Sequence, residues 1–332
     1  MLGRFSRRRT GLFLAIFFLC TLTSCTDDKP NTRNTQKVSS SPVSQNKGDS
    51  PSESHALHRA FITKSDIIFS TLRNSTIALA KHISVFTTHP TEASLQACKK
   101  QLNNTHKDYL ASYIFRNALT HANILDPELD LQHLSPEVVH TNSIRLDQYP
   151  ILPGYIDSVD GYSSSGLVHS EQALTGEFLN SEHQFSDKAY VAIGFHALDY
   201  LLQGGKLESK RALDSFALKS TVDSEKNNAP QVRRLQYIAL LGELILADVN
   251  FLYQSWVGET GFYRTTLGNL SEIDMSKLLK RTIEIEAFSL PKLKQILEDN
   301  PGNLAHNSLE IYELRHKVLM SLKSMTDTPS IP

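Results

Sequence analysis

From Ala56 to Phe86 the chain runs for about thirty residues without a proline or a glycine, and Ala56, Ala60, Ile67, Ile68, Leu72, Leu79, Ile83 and Phe86 recur along it with helical spacing. Strands usually end within about ten residues, so the pattern predicts one long helix. Pro90 closes it and opens a second periodic run through Leu95, Cys98, Leu102, Tyr109, Tyr113 and the residues from Phe115 to Leu119. Two long helices joined by a turn near Thr87 to Pro90 make an antiparallel hairpin, the natural start of a helical bundle.

From Asp126 to Gly166 the periodicity weakens to loop, punctuated by Pro150, Pro153 and Gly154, with one short helix expected where Ser135 caps and Pro136 begins it. Loops of that length tend to be functional or mobile. Helical patterns resume at Ser170 to Leu179 and again at Asp187 to Gln203, where Ser186 reads as the N-cap and Gly204 with Gly205 as the stop. The charged stretch from Gly204 to Ala229 is expected to turn helical near Lys210. A long helix follows from Pro230 through Val257, carrying Leu235, Ile238, Leu241, Ile245, Val249, Leu252 and Trp256. Ser271 with Asp274 reads as a capping pair opening a run to Leu290. A break at Pro291, a helix to about Asp299 and a last helix from Leu304 or Asn307 to Leu322 complete the chain. Few runs alternate as strands do, and the fold class expected is all-α.

Arg4, Arg7, Arg8 and Arg9 precede the apolar run from Leu12 to Leu19, which is too short to span a bilayer and fits the core of an export signal. Leu22-Thr23-Ser24-Cys25 then matches the lipobox of bacterial lipoproteins. The expectation is a signal peptide over residues 1–24, lipidation at Cys25, and a membrane anchor through that lipid. Thr26 stands where an aspartate would retain a lipoprotein in the inner membrane, so a periplasmic protein on the outer membrane is expected. Residues 25–52, rich in Ser, Thr, Asn, Pro, Asp and Lys, read as a flexible tether. Loss of residues 1–24 removes four arginines and no acids, taking the formal charge from −1 to −5. That balance, with no basic patch, excludes nucleic acid as the expected partner. Of the three cysteines, Cys98 alone remains for the folded domain, and burial on its helix is its expected state.

Chemistry concentrates in Ile193-Gly194-Phe195-His196-Ala197-Leu198-Asp199-Tyr200-Leu201-Leu202. Residues three apart share a helical face, which sets the His196 imidazole beside the Asp199 carboxylate. Gly194 weakens a helix relative to alanine, so its expected use is close approach of another backbone. A His and a carboxylate at this spacing are what helical bundles aim at one metal. Taken alone, such a pair is more often a satisfied buried hydrogen bond than a ligand set. Two ligands do not complete a zinc or iron site, and His106, Asp147, Asp157, His169, Glu171 and His183 are the further donors on offer. Arg145 could clamp an anionic ligand or pair with one of the aspartates. Asp147 and Asp157 flank Pro150 and Pro153, where turn chemistry also accounts for them. HExxH and GxSxG are both absent, so neither the common zinc-peptidase arrangement nor a serine nucleophile elbow is present. His55, His58, His82 and His89 fall on expected exposed faces or turns and receive no role.

Gly194-Phe195-His196-Ala197-Leu198-Asp199 resembles the GxHxxE motif of the imelysin family, bacterial envelope proteins that include the insulin-cleaving membrane protease and iron-regulated proteins. Arg145-Leu146-Asp147-Gln148-Tyr149-Pro150, followed by Tyr155-Ile156-Asp157, resembles that family's conserved loop. The likeness covers roughly residues 55 to 320. It departs at Asp199, which stands for a glutamate and reaches about 1.5 Å less far. The resemblance implies a domain over 53–325 made of two antiparallel bundles sharing an interface, the first at about 53–165 and the second at about 166–325. It also implies metal binding, iron first and zinc next, through His196 and Asp199 at a cleft between bundles, with Arg145, Asp147 and Asp157 as lesser ligand-binding candidates. A metallopeptidase of the insulin-cleaving type and a structural or partner-binding envelope protein are the alternatives.

Overall fold

The computed structural model describes residues 51–118, 143–158, 161–162, 165–204, 212–216, 229–299 and 308–326. The signal segment 1–24, Cys25, the tether up to residue 50, the short helix expected at Ser135 and the helical turn expected near Lys210 lie outside the described residues. None of the described residues forms a strand, and the chain is all-α.

Helix α1 (Pro51–Thr88) is the spine. Its buried positions Phe61, Ser65, Phe69, Leu72, Thr76, Leu79, Ile83 and Phe86 advance by three or four residues at a time, which keeps them on one stripe. The buried hydroxyls of Ser65 and Thr76 donate to the carbonyls of Ile62 and Leu72, so the stripe leaves neither unpaired. Ile67 was expected on this stripe and is 60% exposed instead. Neighbouring residues diverge by about 100° around a helix, and of Ile67 and Ile68 only Ile68 packs on the core. The turn after α1 is closed by a capping box: Thr91 and Ser94 exchange side-chain and backbone hydrogen bonds and start α2 (Glu92–Ala111). Cys98 is a free, buried thiol on α2, and burial pushes its pKa up to about 12.

Three short helices follow, α3 (Pro153–Ile156), α4 (Gly176–Glu182) and α5 (Phe195–Leu202). Two sequence expectations are corrected here. The helix expected over Ser170 to Leu179 begins only at Gly176, where the Thr175 hydroxyl accepts from the Phe178 amide. The helix expected over Asp187 to Gln203, capped by Ser186, begins only at Phe195. Ahead of it the Asp187 carboxylate accepts from the Ala189 amide in a local turn, and Gly194 takes φ +94°, which ends any helical path through it.

The long helix α6 (Pro230–Val257) lies against α1, and Gly242 marks their close approach: a methyl group there would come within 2.9 Å of Ile83. Next come α7 (Phe262–Asn269), α8 (Glu272–Asp299) and α9 (Ser308–Thr326). Ser271 and Asp274 form the expected cap of α8. The break expected at Pro291 does not occur, because α8 runs through it with the ring exposed while Leu290 and Leu293 pack on the core. Tertiary packing on either side outweighs the missing backbone donor. Helix α9 returns along α8 and touches α2, and Arg315 grips the buried Glu286 carboxylate with two bonds of 2.8 Å.

Candidate metal centre

Three side chains from three separate stretches meet at one point. His106 projects from α2, between the buried Leu102 and Tyr109. Asp147 ends the helical run 143–147, and His196 is the second residue of α5. The His106 Nε2 lies 2.6 Å from Asp147 Oδ1 and the His196 Nε2 lies 3.1 Å from the same oxygen. One ligand atom from each of the three falls within 4.8 Å of the other two. All three side chains are at most one-fifth exposed. Phe195 backs the His106 ring at 5.0 Å between centroids, and the half-exposed Tyr149 lies 5.2 Å from the His196 ring. Burial alone would push the Asp147 carboxyl up, but the paired histidines outweigh it and hold the group well below the usual carboxylate range.

Local structure explains why Asp147 and His196 come together. Gly194 packs so tightly on the preceding segment that a Cβ would sit 2.5 Å from the Arg145 carbonyl oxygen and 2.6 Å from that of Leu146. Only glycine accepts both this approach and φ +94°. The expected close backbone contact at Gly194 is therefore real, made from the N-cap rather than from inside the helix.

Asp199, expected beside His196 as its co-ligand, is not among the three. Its Oδ1 accepts from the Gln203 amide at 3.3 Å, and Gln203 in turn accepts from the Lys99 ammonium at 2.9 Å. Arg145 does not pair with Asp147 or Asp157: its Nε reaches both oxygens of Asp248 at 3.0 Å and its Nη1 donates to Asn180 at 2.8 Å. Asp157 is fully buried elsewhere, holding Arg234 by bonds of 2.6 and 3.0 Å, with His169 at 3.0 Å and the Ser158 amide at 2.7 Å. Burial opposes ionisation there, and Arg234 with the other donors outweighs it, so the carboxyl is held low. Gly166 permits this packing, since a Cβ would come within 2.7 Å of the Asp157 amide. Glu171 is exposed. His106 carries a usable sequence signal, a histidine on the stripe of Leu102 and Tyr109, whereas Tyr149 stands in the string that resembles the family's loop but has no spacing that sets it beside His196.

The donor set fits a first-row metal. Two ligands held about 2.1 Å from one ion stand roughly 3 to 3.5 Å apart; His196 and Asp147, at 3.1 Å, already stand so, whereas His106 and Asp147, at 2.6 Å, are in hydrogen-bond contact. Two imidazole nitrogens with one carboxylate also leave coordination positions open, the arrangement of mononuclear iron and of catalytic zinc sites. Fold and site together define a helical-bundle protein with a largely sheltered two-histidine, one-carboxylate cluster. The Imelysin family model matches residues 68–309, a span that holds all three residues, and the chain belongs to the imelysin family. Among curated proteins no match is found.

Proposed function

We propose that this is a cell-envelope lipoprotein of imelysin type that binds a metal ion or metal complex, iron first, through His106, Asp147 and His196. The observation that carries the reading is the convergence of three ligand atoms from three elements within 4.8 Å. A bound metal would supply Lewis acidity and open positions for an outside ligand. The chain's own part is to aim two imidazoles at one carboxylate, back them with Phe195 and leave Tyr149 at the mouth. Elemental analysis of purified protein, with melting curves in Fe2+, Zn2+ and Cu2+, tests the reading. A ligand present at one hundred times its Kd adds about 2.7 kcal/mol, and His196→Ala and His106→Ala should each abolish that gain. Unchanged melting of wild type in all three metals overturns it.

The same open donor set also supports a second reading, a metallopeptidase, in which a metal-bound water and a general base are required. Peptide hydrolysis lost on chelation and restored by metal would establish it. The envelope location rests on the arginines, apolar run and lipobox before Cys25, and on Thr26 for the outer membrane. Wild type should label with fatty acid and Cys25→Ser should not. Recovery of wild type as wholly soluble, unlipidated protein overturns the anchorage.

A further inference from the structure

We infer that His183 is a positioning residue for the cluster: its ring joins the backbone that carries Asp147 to the backbone that carries His196, and so sets the separation of two ligands on different segments. Its importance to binding rests on the metal reading above, while its geometry is independent of it.

His183 caps the C-terminal end of α4. Its Nδ1 accepts the Ala192 amide proton at 3.2 Å and its Nε2 lies 3.1 Å from the Ile144 carbonyl oxygen. The first bond needs a lone pair on Nδ1 and the second a proton on Nε2, so one tautomer of the neutral ring satisfies both. A second proton on the ring would set two donors against each other at Ala192. Burial keeps the ring neutral, lowering its pKa to about 4. Ile144 lies in the helical run that ends at Asp147, and Ala192 lies one turn's length ahead of His196. Between these anchor points Gly194 rests on the carbonyls of Arg145 and Leu146. The Ala192 carbonyl meanwhile accepts from the Tyr237 hydroxyl at 2.6 Å, so the residue is held at its carbonyl by α6 and at its amide by His183. Without the imidazole the Ala192 amide loses its partner and the direct link between the Ile144 and Ala192 backbones is lost, leaving the Gly194 contact and the Tyr237 bond to set the offset between Asp147 and His196. Residues that orient ligands without touching the metal change affinity by about 10- to 100-fold when mutated.

The test uses the full chain stripped of metal, with Co2+ as the probe, because its visible absorption reports the number and arrangement of its ligands. His183→Phe keeps a ring and removes both hydrogen bonds, whereas His183→Gln restores one donor and one acceptor. Cobalt affinity should fall about 10- to 100-fold in the Phe variant, with an altered spectrum, and stay within about threefold of wild type in the Gln variant. Equal affinity and equal spectrum in wild type and the Phe variant overturn the inference. If wild type binds no cobalt, the metal reading falls, and His183 is judged by the ring-nitrogen NMR signals of His106 and His196. These should move in the Phe variant and recover in the Gln variant, and no movement overturns the inference. If the Phe variant does not fold, hydrogen exchange in wild type decides. Cobalt should slow exchange of the Ala192 amide, and an unchanged rate overturns the inference.

Discussion

A sheltered carboxylate is held by its partners, and Asp157 and Asp147 are held in different ways. Asp157 is saturated by Arg234, His169 and a backbone amide, which leaves it no capacity for a ligand and makes it a structural anchor. Arg234→Ala should therefore destabilise the protein by about 3 to 5 kcal/mol in denaturant unfolding, because it strands a buried charge. Asp147 instead shares one oxygen between two imidazoles whose rings meet edge to face at 5.4 Å. His183 gives a distinct acid signature. Its folded pKa, about 4, lies below its ordinary value of 6.5, so the unfolded chain binds the extra proton first. Its contribution to stability is complete above about pH 6.5 and is lost as pH falls toward about 4. His183→Gln should flatten the stability profile across that window, measured by urea midpoints at successive pH values, with the neighbouring Arg145 charge left in place. At this scale the sequence was half legible. His196 stands out as a polar residue in an apolar run, and Arg145, Asp147 and Asp157 through the string that resembles the family's loop. Which partner each of them meets is not legible, since helical spacing reveals only neighbours a turn away and His106 lies on another helix.

Among the elements, long amphipathic helices were the most readable. The start of α6 at Pro230 and its end at Val257 agree with the sequence limits, because Pro at the first turn and Gly258 after the last are local signals. The short helices were not readable, since α4 and α5 are fixed by a side-chain cap and by a glycine whose conformation depends on a distant backbone. Gly194 is where this matters most. Gly194→Ala should cost at least about 2 kcal/mol through its backbone angle alone, and the clash with the 145–146 carbonyls should push α5 away from Asp147. Thermal unfolding gives the cost, and the NMR signals of the His196 ring give the displacement. A variant that melts like wild type would show that the segment has room that the packing denies.

For the molecule as a whole, the single tryptophan is a built-in reporter. Trp256 is buried, stacked on Phe69 at 5.0 Å and on Tyr263 at 4.7 Å, with Phe61 and Phe115 around it, so its environment is contributed by α1, α6, α7 and the run at 113–118. Its fluorescence and the far-ultraviolet circular dichroism should lose their native values at the same denaturant midpoint. Separate midpoints would mean that the α1–α6 core and the remaining helices unfold independently.

The convergence at Asp147 also bears on portability. The string from Gly194 to Asp199 is the most conspicuous in the sequence, yet it supplies one of the three converging donors, and the other two arrive only when α2 and the 143–147 turn are in place. A synthetic peptide covering 187–204 should therefore bind cobalt no better than any peptide with one histidine, and grafting the string onto another bundle should transfer nothing. On heating, bound cobalt should leave in the same step that exposes Trp256, with no earlier or later release.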